Sequence, residues 1–95
     1  MRDTTVSVRL RIHGRVQGVW YRGWAVAEAE QLGVSGWVRN RRDGSVEALV
    51  SGAEPAVRSM VERCRRGPSA ARVDDIVEVP VSEAAGPGFR QLPTL

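Results

Sequence analysis

The residues from Gly14 to Arg22 place two glycines and an arginine between a predicted strand and a predicted helix. At the start of a helix, backbone N–H groups that lack a helical partner converge with the positive end of the helix dipole. A junction of this kind binds anions. Arg22, at the helix entrance, adds a planar fork of donors that matches phosphate or carboxylate oxygens. The segment therefore predicts a phosphate-binding cradle.

Asn40 is a second polar side chain that is predicted to reach this cradle. It ends the next predicted strand, directly before the turn that begins at Arg41. In a split βαβ unit this strand runs parallel to the first, so both strands end at the same edge of the sheet. A neutral amide there can donate to an oxyanion or orient a water molecule without titrating. Taken alone, Asn40 is better explained as an ordinary turn residue before Arg41.

The elements that must position these residues follow from the hydrophobic periodicity. Alternating apolar residues predict strands, and apolar residues spaced by three and four predict helices. In chain order we predict a strand over 6–12, a helix over 22–32, a strand over 36–40, a hairpin turn over 41–44, a strand over 45–51, a helix beginning near Pro55 with Val57, Met60, Val61 and Cys64 in the core, a strand over 73–79 with a bend or bulge at Asp74–Asp75, and a short strand near Phe89–Leu92.

This order predicts an α+β fold of the ferredoxin-like type, β-α-β-β-α-β. Right-handed crossovers would place both helices on one face of an antiparallel sheet. With 95 residues, the chain is expected to form a single domain over 1–95. The fold hosts enzymes, RNA binders and metal chaperones, so it does not by itself specify a function.

Composition excludes some classes of site. Cys64 is the single cysteine and His13 the single histidine, so an intrachain disulfide, a cysteine-rich metal site and a histidine–histidine metal site are excluded. The net charge of +3 is weak evidence for nucleic-acid binding. No apolar run is long enough to span a membrane, and Met1–Thr5 shows no secretory apolar region. We therefore expect a cytoplasmic protein that binds neither membranes nor nucleic acid.

Residues 14–22 resemble the signature loop of the acylphosphatase family, and residues 33–40 followed by 43–47 resemble its second signature. The resemblance covers nearly the whole chain. It implies an enzyme that hydrolyses acyl phosphates to a carboxylate and inorganic phosphate without a metal or a cofactor. It also implies that Arg22 binds the phosphate and that Asn40 positions the attacking water. The backbone of Arg15, Val16, Gln17, Gly18 and Val19 would complete the cradle.

The implied partners are a small-molecule acyl phosphate as substrate and phosphate as product and competitive inhibitor, with the chain expected to act as a monomer. Tyr21 stands where relatives often have phenylalanine, so its hydroxyl needs a partner. Trp20 either lines the mouth of the site and favours apolar acyl groups or shields the helix. The alternative function is a non-catalytic anion- or RNA-binding module, but the strands over 6–12 and 46–50 lack the aromatic residues that an RNA-recognition sheet presents.

Overall fold

A computed structural model describes residues 4–95. Met1–Asp3 lie outside the described residues. They belong to the segment Met1–Thr5, on which the expectation of no secretory apolar region rests. The elements, in chain order, are β1 (Thr5–Arg15), α1 (Tyr21–Leu32), β2 (Ser35–Asn40), β3 (Val46–Ala53), α2 (Glu54–Arg66), β4 (Arg72–Pro80) and β5 (Phe89–Gln91).

The strands form one sheet in the order β4-β1-β3-β2-β5. Both helices pack on the same face of this sheet and share one hydrophobic core with it. The predicted ferredoxin-like fold is therefore confirmed. Three of the strand pairings are antiparallel, but β5 joins β2 in parallel, so the sheet is mixed rather than wholly antiparallel. The reason is that the connection after β4 crosses the open face of the sheet and returns the chain in the direction of β2.

The connection between β4 and β5 also explains why β3 is buried on both faces. Leu49 points away from the helices, yet only 1% of its surface is exposed. It lies beside Trp37 in a cleft of about 420 Å³ that residues 83–88 of the connection close from above. The face of the sheet opposite the helices is therefore partly covered at Leu49.

β1 continues through Gly14, so the prediction that the turn begins at Gly14 is wrong. His13 pairs with Asp75 and Gly14 pairs with Val73, which leaves Asp74 as the extra residue of a β-bulge. A Cβ on Gly14 would lie 2.2 Å from the carbonyl oxygen of Arg72, so this close approach requires glycine. The predicted irregularity at Asp74–Asp75 is confirmed, and only residues 16–20 remain to connect β1 to α1.

Tyr21 fixes the start of α1 against α2. Its hydroxyl donates a buried hydrogen bond of 2.7 Å to the carbonyl oxygen of Cys64, which supplies the partner that the sequence left open. Cys64 itself belongs to the predicted apolar stripe of α2, which is buried as expected. Burial raises the pKa of the Cys64 thiol to about 11, so this side chain is a core residue rather than a nucleophile.

Candidate active site

A cavity of about 130 Å³ opens where β1 leads into α1 and β2 ends. Arg22 and Asn40 both line it, so the structure brings the two predicted site residues together although 18 positions separate them in the sequence. The parallel course of β1 and β2, each antiparallel to β3, produces this proximity. The cavity is lined by Val16, Gln17, Gly18, Trp20, Tyr21, Arg22, Gly23, Asn40 and Gln91.

The N-terminus of α1 presents unpaired backbone donors to the cavity. The first helical hydrogen bond runs from Trp24 N to Trp20 O, so the N–H groups of residues 21–23 precede it and have no helical partner. Neither a capping side chain nor an acidic residue compensates the first turn. Within residues 4–95 the Arg22 guanidinium forms no ion pair or hydrogen bond. This arrangement concentrates positive potential and free donors at one point, which favours an anion.

Of the predicted cradle residues, Val16, Gln17 and Gly18 line the cavity. Gly18 adopts a φ of 74°, a left-handed conformation that glycine adopts without steric cost. Arg15 ends β1, where it pairs with β4, and Val19 packs against the hydrophobic core. The central residues of the loop therefore line the cavity, while the sheet and the hydrophobic core hold the two ends of the loop.

The side chain of Gln17 joins this loop to the turn that follows Asn40. Its Nε2 donates to the carbonyl oxygens of Arg41 at 2.8 Å and of Ser45 at 2.9 Å. The sequence pattern assigned Gln17 only a backbone role, because nothing local indicates that its side chain crosses to the hairpin. These two hydrogen bonds set the distance between the backbone donors of the loop and the side chain of Asn40.

Replacing Gln17 with alanine should lower both the stability and the turnover of the protein. Two hydrogen bonds of this kind contribute about 1–3 kcal/mol together. The loss should also loosen the spacing between the loop and Asn40, which lowers kcat more than it raises KM. Urea unfolding and steady-state kinetics measure the two effects. Gln31→Ala removes an amide of α1 that accepts a single exposed hydrogen bond from Arg63, so it is the matched control, and equal midpoints for the two variants would contradict this role of Gln17.

Asn40 lines the cavity and carries a buried acceptor. Its Oδ1 is buried and has no hydrogen-bond partner within residues 4–95. Its backbone is fixed, because its carbonyl oxygen accepts from Leu95 N at 3.2 Å and the next residue bonds across the turn to Ser45. A buried acceptor without a donor is costly, so a water molecule that donates to Oδ1 would restore the missing bond.

The hairpin turn next to Asn40 is internally braced. Asp43 accepts from the Oγ of Ser45 at 2.6 Å and from its backbone N at 2.9 Å, and these bonds hold the pKa of the Asp43 carboxyl below its usual range. Arg41 pairs with Glu47 at 3.2 Å, and the Arg39 guanidinium lies 4.8 Å from the centre of the Trp37 ring. These two arginines thus have structural partners. This favours a structural role for them over a role in attracting an anionic substrate.

The family model for acylphosphatase matches residues 8–90. A curated acylphosphatase of Rhodospirillum rubrum is 58% identical, over 94% of this chain and 98% of the relative. One of Nitrobacter hamburgensis is also 58% identical, over 88% of this chain and 91% of the relative. The chain belongs to the acylphosphatase family. Its alternative interpretation as a non-catalytic binding module is not favoured by these relatives.

The crystal structure of an acylphosphatase from Bacillus subtilis superimposes with a TM-score of 0.87 at 36% identity. The match covers 92% of this chain and 98% of that one, so the fold is that of a whole acylphosphatase. As a member of this family the chain is an enzyme whose substrate is a small-molecule acyl phosphate. Among residues 4–95, no helix is long and apolar enough to cross a membrane.

Gln91 also lines the acylphosphatase cavity, although the sequence did not indicate it as a site residue. It lies in β5, where it pairs in parallel with Val38, and Leu92 N continues the pairing to Val38 O at 2.9 Å. A strand of three residues carries little periodicity, and its partner lies far away in the sequence. Only the assembled sheet therefore shows that the C-terminal segment completes the cavity.

Proposed function

We propose that the cavity hydrolyses acyl phosphates by direct attack of a water molecule on phosphorus. Arg22 and the backbone donors at the start of α1 hold the phosphoryl oxygens, and Asn40 orients the water. The observation that carries this proposal is that Asn40 and Arg22 line the same cavity, while the buried Oδ1 of Asn40 and the Arg22 guanidinium have no hydrogen-bond partner among residues 4–95. One side of the cavity supplies donors for an anion, and the other supplies an acceptor for a water proton.

The chemistry requires no strong nucleophile. An acyl phosphate is a mixed anhydride, and its carboxylate is a good leaving group. The water oxygen forms a bond to phosphorus while the bond from phosphorus to the acyl oxygen breaks, and the electron pair leaves with the carboxylate. The water protons pass to solvent and to the phosphate product. Positioning and charge stabilisation therefore supply the catalysis, as in other phosphoryl transfers.

The loop backbone over residues 15–19 is the proposed cradle for the phosphoryl group. Val16, Gln17 and Gly18 lie at the cavity wall, while Arg15 and Val19 hold the ends of the loop. Inorganic phosphate retains the group that this cradle recognises, so we propose that it binds there as a competitive inhibitor. A contribution of about 100-fold to the rate from each preorganised donor is typical of such sites.

We further propose that the protein acts as a cytoplasmic monomer without a metal or a cofactor. The single cysteine is a buried free thiol, which suits a reducing compartment. The side chains given roles in the reaction, Arg22 and Asn40, are not metal ligands of the usual kind.

The test is hydrolysis of benzoyl phosphate by the purified protein in the presence of excess EDTA. We expect full activity, with equal amounts of benzoate and phosphate released, and we expect added phosphate to raise the apparent KM without changing kcat. Activity that disappears on chelation and returns with a divalent cation would contradict the proposed mechanism. No hydrolysis of benzoyl phosphate or acetyl phosphate under any condition would contradict the proposed function itself.

A further inference from the structure

Trp20 stands at the mouth of the cavity with 68% of its surface exposed. The other exposed large apolar side chains within residues 4–95 are Val77, Val79 and Leu95, which are all less exposed than Trp20, and none of them lines the cavity. The indole is therefore available for contact with a molecule that enters the cavity.

The position of the indole is built into the backbone. Trp20 has a φ of 66°, the left-handed conformation, and it is the one non-glycine residue with positive φ within residues 4–95. A bulky residue in this conformation is strained, and strain of this kind concentrates at functional sites. The ring lies against the backbone of Gly23, where a Cβ would stand 2.2 Å from the indole Nε1. Only glycine at position 23 leaves room for the ring, and we call this contact with Gly23 the seat of the indole.

The cavity is too small to enclose a whole acyl phosphate, so the two ends of the substrate must lie in different places. A volume of about 130 Å³ is well below that of pockets that enclose a whole organic ligand. The charged phosphoryl group belongs at the donors near Arg22, and the acyl group must then extend through the mouth. At the mouth it meets the indole of Trp20.

We infer that Trp20, seated on Gly23, forms the acyl-binding wall of the enzyme and selects acyl phosphates with an aromatic or extended apolar acyl group. This inference rests on the proposed function and adds the substrate class to it. An aromatic acyl group gains a ring contact with the indole, whereas an acetyl group is too small to cover it. Trp20 therefore acts on the choice of substrate, while Arg22 and Asn40 act on the phosphoryl group that all substrates share.

The test compares kcat/KM for benzoyl phosphate with kcat/KM for acetyl phosphate in four variants. Trp20→Gly removes the ring and also relieves the left-handed strain, so it should fold. Gly23→Ala keeps the ring but displaces it from its seat. For both variants we expect the benzoyl-to-acetyl ratio to fall about tenfold, the order expected for one lost aromatic contact. Trp20→Phe should retain most of the preference, and Trp37→Leu, which removes an indole from the opposite face of the sheet, should leave the ratio unchanged.

An unchanged ratio in Trp20→Gly would overturn the inference even though the enzyme remains active. An equal loss toward both substrates would also overturn it, because the ring would then serve only to shield the helix. Inorganic phosphate as an inhibitor gives a second readout, since its inhibition constant should not follow the benzoyl preference across the variants. A wild-type protein that hydrolyses neither substrate would refute the proposed function, and this inference with it. Circular dichroism of each variant confirms that the fold is retained.

Discussion

Arg22→Ala should weaken competitive inhibition by inorganic phosphate about 100-fold or more, because two charge-assisted hydrogen bonds to the anion are lost. The fold should not suffer. Within residues 4–95 the Arg22 side chain forms no hydrogen bond or ion pair. A cation in the first turn also opposes the helix dipole, so its removal should slightly raise the free energy of unfolding. Inhibition constants and urea unfolding, measured on the same preparation, check both parts.

Arg65→Ala provides the matched control for the loss of one arginine. Arg65 is an exposed residue of α2 that pairs with Glu62 and does not line the cavity. Its removal should leave phosphate inhibition unchanged, which separates a local contact from a general effect of net charge. An inhibition constant for Arg22→Ala that equals that of the control would remove Arg22 from the phosphate site. A large loss of stability in Arg22→Ala would show that it has a structural role instead.

Asn40→Ala should lower kcat by about 100-fold or more while phosphate still binds with nearly its original affinity. The loss falls on kcat and not on phosphate affinity, because the Asn40 amide acts on the water whereas the cradle acts on the phosphoryl group. Truncation also removes an unpaired buried acceptor, so it should not destabilise the hairpin. Steady-state kinetics with benzoyl phosphate, together with the phosphate inhibition constant, separate the two effects.

Asn40→Asp is the informative companion variant. It preserves the shape of the side chain but places a carboxylate beside a cavity built for an anion. We expect both kcat and phosphate affinity to fall, in contrast to the alanine variant, because like charges repel at close range. Near-normal turnover in Asn40→Ala would mean that the water is positioned by another group, for which Gln91, an amide that also lines the cavity, is a candidate.

The features that could be predicted from the sequence are those that local patterns and chain topology determine. Period-two strands and helical stripes gave the element order, and the ferredoxin-like plan then placed Asn40 beside Arg22. The helical stripe ending at Cys64 also predicted its burial correctly. Each of these inferences depends on contacts that repeat at a fixed spacing along the chain, and such spacing is visible without coordinates.

The features that were missed depend on single long-range contacts. Glycine at position 14 favours a turn, but the bulge at Asp74 on the partner strand keeps Gly14 in β1. The side chain of Gln17 reaches carbonyl oxygens 24 and 28 positions away. Gln91 enters the cavity wall through a parallel pairing of only three residues. No periodic signal encodes such contacts, because each one depends on the assembled sheet.

The strained backbone of Trp20 is a third kind of feature. The sequence showed a bulky residue between Gly18 and Arg22, but its left-handed conformation and its seat on Gly23 required the coordinates. A residue type that disfavours its own backbone conformation defeats prediction from propensity.

The central claim is that water held by Asn40 attacks phosphorus in the cavity. The most direct measurement is the benzoyl phosphate assay with EDTA, carried out in water enriched in a heavy oxygen isotope, followed by mass spectrometry of both products. We predict that the label enters inorganic phosphate and that the enzyme-catalysed incorporation falls with the turnover of Asn40→Ala. Label found in benzoate would show that water attacks the carbonyl carbon instead, and would contradict the proposed roles of the cradle and of Asn40.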